Sequence, residues 1–104
     1  MQTKQDILDF CDSFGLPLKN DLQTLWDLGF VYTQARTFNQ TTGTYYIRTC
    51  LLLDGSNDNF VELTIWTSQC KPTTYTARII IDNHAVTEFS EPTLDKLLEK
   101  IVEN

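Results

Sequence analysis

Between Phe30 and Asp82, four runs rich in aromatic and β-branched residues follow one another with only short polar breaks, and this pattern constrains the fold more than anything else in the chain. The runs are Phe30–Phe38, Thr44–Leu53, Asn59–Gln69 and Thr73–Asp82. The breaks at Asn39–Gly43, Asp54–Asp58 and Cys70–Pro72 carry turn residues. Links this short join antiparallel neighbours, because a parallel pair needs a crossover of about a dozen residues or more. Asn83-His84 then predicts a tight turn into a short fifth strand, Ala85–Phe89.

Helical spacing flanks the block. Thr3 with Asp6 predicts a capping box, and Ile7, Phe10, Cys11 and Phe14 form one apolar stripe before Gly15 and Pro17 stop the helix. Asn20 or Asp21 is the expected cap of a second, short helix with Leu22, Leu25, Trp26 and Leu28 on its apolar side and Gly29 at its end. Ser90 is the expected cap of the last helix, with Glu91 and Pro92 in its first turn and a stripe of Leu94, Leu97, Leu98, Ile101 and Val102. The expected fold class is α+β. It comprises two N-terminal helices, a four- to five-stranded antiparallel meander sheet and a C-terminal amphipathic helix packed on one sheet face. At 104 residues this is one domain, 1–104.

Alternation assigns the two faces. Odd positions (Tyr45, Ile47, Thr49, Leu51, Leu53, Val61, Leu63, Ile65, Tyr75, Ala77, Ile79 and Ile81) make the natural core. If the hairpins keep even residues opposite even ones, the second face gathers Tyr32, Phe38, Tyr46, Phe60 and Trp66 with Arg36, Arg48 and Arg78, and Glu62 as counter-charge. Such a face is a contact surface, a plain solvated face, or a face covered by the first two helices. Trp, Tyr and Arg are the types enriched where partners bind, which favours the first.

Charge is unevenly placed in a chain of net charge −6. Residues 1–29 carry five acids against two bases, residues 30–82 four of each, and residues 83–104 five against two. The helical ends thus hold the excess acidity, which opposes binding to a phosphate backbone. The first residues have no basic and apolar leader pattern, and the longest apolar runs, Leu51–Leu53 and Ile79–Ile81, fall far short of the ~20 residues of a membrane span. The expected location is the cytoplasm, with no membrane contact and with Cys11, Cys50 and Cys70 as free thiols.

Candidate chemistry is sparse. His84 sits in a turn with no Ser- or Cys-centred motif to pair with it. Cys11, Cys50, Cys70 and His84 lack the close spacing of a zinc site. Asp54–Asn59 resembles a calcium loop, yet Ile65 stands where the bidentate Glu belongs, and Asp-Gly reads as a hairpin turn. Asn39-Gln40-Thr41 is a sequon within a polar turn.

The expectation is therefore no enzyme, no catalytic residue, no metal and no cofactor. The expected function is a non-catalytic protein-binding domain of inhibitor, immunity, adaptor or chaperone type, with a protein partner or a second copy in a homodimer. Its binding residues are Tyr32, Arg36, Tyr46, Arg48, Glu62, Trp66 and Arg78. Two alternatives are single-stranded nucleic acid on the same face, and a small-molecule or enzymatic pocket between helices and sheet.

Overall fold

The computed structural model describes residues 2–55, 57–68 and 71–103. Helices α1 (Lys4–Phe14) and α2 (Lys19–Asp27) precede strands β1 (Val31–Asn39), β2 (Thr44–Leu52), β3 (Phe60–Ser68), β4 (Thr74–Ile81) and β5 (His84–Glu91), and α3 (Leu94–Glu103) follows. The strands form one antiparallel meander in the order β1-β2-β3-β4-β5, so the α+β class and the five-strand sheet are as the sequence predicts. No helix among the described residues is long and apolar enough to cross a membrane.

α1 begins with the predicted capping box: Thr3 Oγ1 accepts from Asp6 N at 3.1 Å and Asp6 Oδ2 accepts from Thr3 N at 2.9 Å. Gly15, at φ 65°, closes it in the left-handed conformation that glycine adopts without steric cost. α2 departs from expectation. It starts at Lys19 with Leu18 as N-cap and no capping side chain. Burial of Leu16 and Leu18 fixes the entry of this two-turn helix in place of a polar cap, and Leu28 is exposed.

The start of α3 is also corrected. Ser90 belongs to β5, where it pairs with Thr76 and the two hydroxyls lie 3.2 Å apart. Glu91 pairs with Tyr75, and the chain leaves the sheet only at Pro92. Thr93 then caps α3, its Oγ1 accepting from Lys96 N at 3.3 Å. The alternation simply runs two residues further than the sequence reading allowed, and two plausible caps lay in the same short stretch. The β4–β5 turn is Asp82-Asn83 rather than Asn83-His84. Both residues have positive φ, 51° and 66°, as a two-residue type I′ turn requires, and His84 opens β5.

All three helices lie on the odd face. Ile7, Leu22, Leu25, Leu63, Ile65 and Leu97 are fully buried between the layers, with Ile47 and Val61 beside them. Each such side chain stabilises the fold by about 1.5–3 kcal/mol relative to exposure. Phe10 and Phe14 of α1 pack on Tyr45, at ring centroids 5.9 and 4.5 Å. Trp26 of α2 donates from Nε1 to Thr33 Oγ1 at 2.9 Å, and Tyr75 donates its hydroxyl to Asp21 Oδ2 at 2.5 Å. Cys11 is buried in this core, as its place on the α1 stripe predicts. One end of the sheet is tied between turns: Asn83 N donates to Asp58 O at 3.1 Å and Asp82 N to Asn59 Oδ1 at 2.8 Å.

Candidate functional site

With the helices on the odd face, the even face of the sheet has no layer over it among the described residues. The β2–β3 and β3–β4 registers keep even residues opposite even ones throughout, so the central strands present the predicted set. One row across the sheet runs Arg36–Tyr46–Trp66–Thr74, the next Gln34–Arg48–Thr64–Thr76–Ser90, and a third Cys50–Glu62–Arg78–Glu88.

The first row carries the rings. Trp66 packs against Tyr46 at 5.2 Å between centroids and edge-on against Phe38 at 5.3 Å and 87°. Phe38 reaches this cluster by the alternation of β1, two residues beyond Arg36, at a bulge between Thr37 and Asn39. It is 63% exposed. The Arg48 guanidinium carbon lies 5.4 Å from the Tyr46 ring centroid, within cation–π range.

The third row carries the charge. Glu62 Oε1 lies 3.6 Å from Arg78 Nη1 and 3.9 Å from Arg48 Nε, so one carboxylate serves two guanidinium groups. Arg48 Nε is buried without a hydrogen-bond partner, since 3.9 Å is too long for a hydrogen bond. Arg36 lies beside a neutral group: with the Gln34 amide assigned so that its oxygen faces the guanidinium, that oxygen accepts from Nε at 3.2 Å and from Nη2 at 2.9 Å. Three arginines thus face two glutamates, Glu62 and Glu88, on a molecule of net charge −6. Cys50 sits in the same row, its thiol pKa raised by burial first and by Glu62 second, with Arg48 opposing.

Six of the seven predicted binding residues stand together on this face: Arg36, Tyr46, Arg48, Glu62, Trp66 and Arg78. Tyr32 does not. A second bulge between Val31 and Gln34 places two residues of β1 against one of β2, and Tyr32 takes φ 59° there. Val31, opposite Cys50, fills the even-face position instead. Tyr32 is exposed in the bulge and borders a recess shared with Lys4 and Trp26. Nothing in the β-branched and aromatic composition of this strand announces a bulge, and no glycine marks it.

Sequence reasoning missed two further parts of the site. Glu88 is not reached by parity alone: the two-residue turn sets Ile81 opposite His84, odd against even, and a bulge between Ile79 and Ile80 restores even against even, so that Arg78 meets Glu88. Lys71 lies in the β3–β4 turn, which parity does not reach. With Pro72, Gly43, Thr44, Phe38 and Trp66 it lines a trough of about 710 Å³ at the sheet end that carries the β1–β2 and β3–β4 turns. Between the start of α1, the end of α2 and β1 lies a smaller recess of about 230 Å³, bordered by Lys4, Trp26 and Thr33. His84 is an exposed residue at the start of β5, and Cys70 lies outside the described residues. No protein-family model, curated protein or solved structure matches the chain.

Proposed function

We propose that this protein is a non-catalytic binding module that receives another protein on the uncovered face of its sheet. One observation carries the reading: Phe38, Tyr46 and Trp66 pack on one another between arginines, on the face opposite all three helices. Rings beside Arg are the side chains that anchor protein interfaces, where they fill pockets and pair with carboxylates. The excess of Arg over Glu on this face favours a partner with carboxylates beside apolar side chains. The same excess opposes two copies meeting face to face, so the partner is a different protein. The cytoplasm is the compartment proposed, because Cys11 and Cys50 are free thiols.

The reading is tested by selecting peptides from a random displayed library on the immobilised protein. The selected peptides are then measured against Trp66→Ala and Arg48→Ala variants checked for unchanged circular dichroism. The expected result is that selected peptides lose most of their affinity for both variants. Peptides that bind both variants as well as the parent overturn it. So does tight, salt-sensitive binding of single-stranded oligonucleotides in place of peptides, which would assign the face to nucleic acid. A dimer in sedimentation that the two substitutions dissolve would make the partner a second copy.

A further inference from the structure

The two ends of the uncovered face differ. At one, the β2–β3 and β4–β5 turns are bonded together through Asp58, Asn59, Asp82 and Asn83. At the other, the β1–β2 and β3–β4 turns leave the trough of about 710 Å³, room for one or two large side chains. We propose that this trough is the specificity pocket of the face, and that it takes a phenylalanine-type side chain from a partner segment whose neighbouring residues are Asp and Glu. The inference rests on the protein-binding reading above and adds the chemistry of the segment bound.

The apolar half of the argument is the wall of the trough. Phe38 and Trp66 form it, in an edge-on pair at 5.3 Å that leaves Phe38 63% exposed. Aromatic pairs of this kind extend readily by a third ring. Gly43 and Thr44, which also line it, add little bulk.

The charge half is more selective. The chain has 14 acidic residues, yet none of the described residues lining the trough is acidic, and Lys71 is the charge there. Arg36 stands opposite Tyr46, which stands opposite Trp66, so a second cation borders the same ring cluster. Its hydrogen bonds go to the neutral Gln34 amide rather than to a carboxylate. Glu62 is four residues along β3 from Trp66, about 13 Å away at ~3.3 Å per residue, and already lies between Arg48 and Arg78. This end of the face is therefore positive around an apolar recess, which complements a ring flanked by carboxylates and opposes one flanked by Lys or Arg.

The test uses a fluorescein-labelled peptide with one Phe between Asp and Glu residues, and two controls: the Phe replaced by Ala, and the acids replaced by Lys. Anisotropy titrations are run on the full chain at low and at physiological ionic strength. The parent peptide is expected to bind, more weakly as salt rises, and both controls to fail. Lys71→Glu and Arg36→Glu, both at exposed positions, are each expected to weaken binding about fivefold or more. Lys96→Glu on α3 makes the same change of net charge on the helical layer and is expected to leave binding within about twofold of the parent. No binding of the parent peptide, equal binding of the Lys-flanked control, or equal losses from all three reversals overturns the inference. If displayed peptides still depend on Trp66 and Arg48 in that case, the pocket assignment fails while the protein-binding reading stands. If neither dependence is seen, both fail.

Discussion

The side-chain amide of Gln2 is bonded to both backbone groups of Ala35: Oε1 accepts from Ala35 N at 2.7 Å, and Nε2 donates to Ala35 O at 3.2 Å. Ala35 lies on β1, an edge strand of the open sheet. The Gln2 amide thus does there what a neighbouring strand would do. Together with the two bulges of β1 it blunts an edge that would otherwise template pairing with another chain.

Replacing Gln2 by Ala is expected to free that edge. The Ala35 amide should exchange its hydrogen faster, and stability should fall by about 1–2 kcal/mol for two part-buried hydrogen bonds. Light scattering at rising concentration should show self-association that the parent lacks. Unchanged exchange at Ala35 would show that the amide does not guard the edge.

A second set of bonds fixes the same strand from the other side. Trp26 Nε1 donates to Thr33 Oγ1, Thr33 and Thr49 hydroxyls lie 3.0 Å apart, and Thr49 Oγ1 donates to Val31 O at 3.1 Å. Since the Thr49 proton is spent on Val31, Thr33 is the donor between the two hydroxyls. Thr33→Val leaves the indole N–H without an acceptor, and Thr49→Val leaves the Val31 carbonyl without its donor. Each is expected to cost about 1–3 kcal/mol by urea denaturation. The double substitution should cost clearly less than the sum, because the two share one chain of bonds.

This chain bears on what the sequence could tell. Strand, helix and face were legible because periodicity depends on few competing terms: burial of one face selects every second residue through most of β2, β3 and β4, and it fails at the sheet end tied between turns, where Leu53 and Ile81 of the expected core are exposed and Ile80 of the even face is buried. The position of Tyr32 was not legible. It depends on how Trp26, Thr33 and Thr49 meet across three elements, and no local pattern encodes that meeting. The trough was hidden for a similar reason. Phe38 and Lys71 are far apart in sequence, and the hairpin turns bring them to the same sheet end. Even the α2 and α3 boundaries failed where two nearby candidates competed and tertiary burial or pairing chose between them.

The bulge at Tyr32 makes its own prediction. An L-residue in the left-handed region costs about 1–2 kcal/mol, more for a β-branched side chain and least for Gly. At position 32, with φ 59° and the residue 58% exposed, stability should rank Gly and Asn above Ala and Ala above Val. That reverses the usual strand preference. Thermal unfolding of the four variants checks it, and Val as the most stable would remove the bulge from the account.

Cys50 reports on the charge row. Burial is the largest cause of its raised pKa, Glu62 the next, and Arg48 acts against both. Glu62→Gln should therefore increase the thiolate fraction and speed alkylation of Cys50 at mildly alkaline pH, while Arg48→Gln should slow it. Mass spectrometry of the Cys50 peptide separates it from the other thiols. Equal rates in the two variants would mean that the Glu62 carboxylate does not sit where it faces the thiol.

The contact between Tyr75 and Asp21 gives the molecule an alkaline limit. The Tyr75 phenol is held well above the ordinary tyrosine range, by burial first and then by its hydrogen bond to Asp21 and the charge of that carboxylate. In the unfolded chain it ionises near pH 10. A group whose pKa is raised by folding contributes its full stability below the unfolded value and loses it as pH rises toward the folded one. Above about pH 10 this one group should therefore lower stability by up to about 1.4 kcal/mol per pH unit. Cys11, pushed up to about 11 by burial and then by Asp12, adds a similar loss that begins lower, near the ordinary thiol value of about 8.5. Tyr75→Phe should be less stable than the parent at neutral pH, having lost the bond to Asp21, yet its urea midpoint should fall less steeply above about pH 10. The Cys11 loss remains in both proteins, so the difference in slope isolates Tyr75. Parallel curves for parent and variant would show that the phenol already ionises in the folded state as it does in the unfolded chain, and that the bond to Asp21 does not hold its proton.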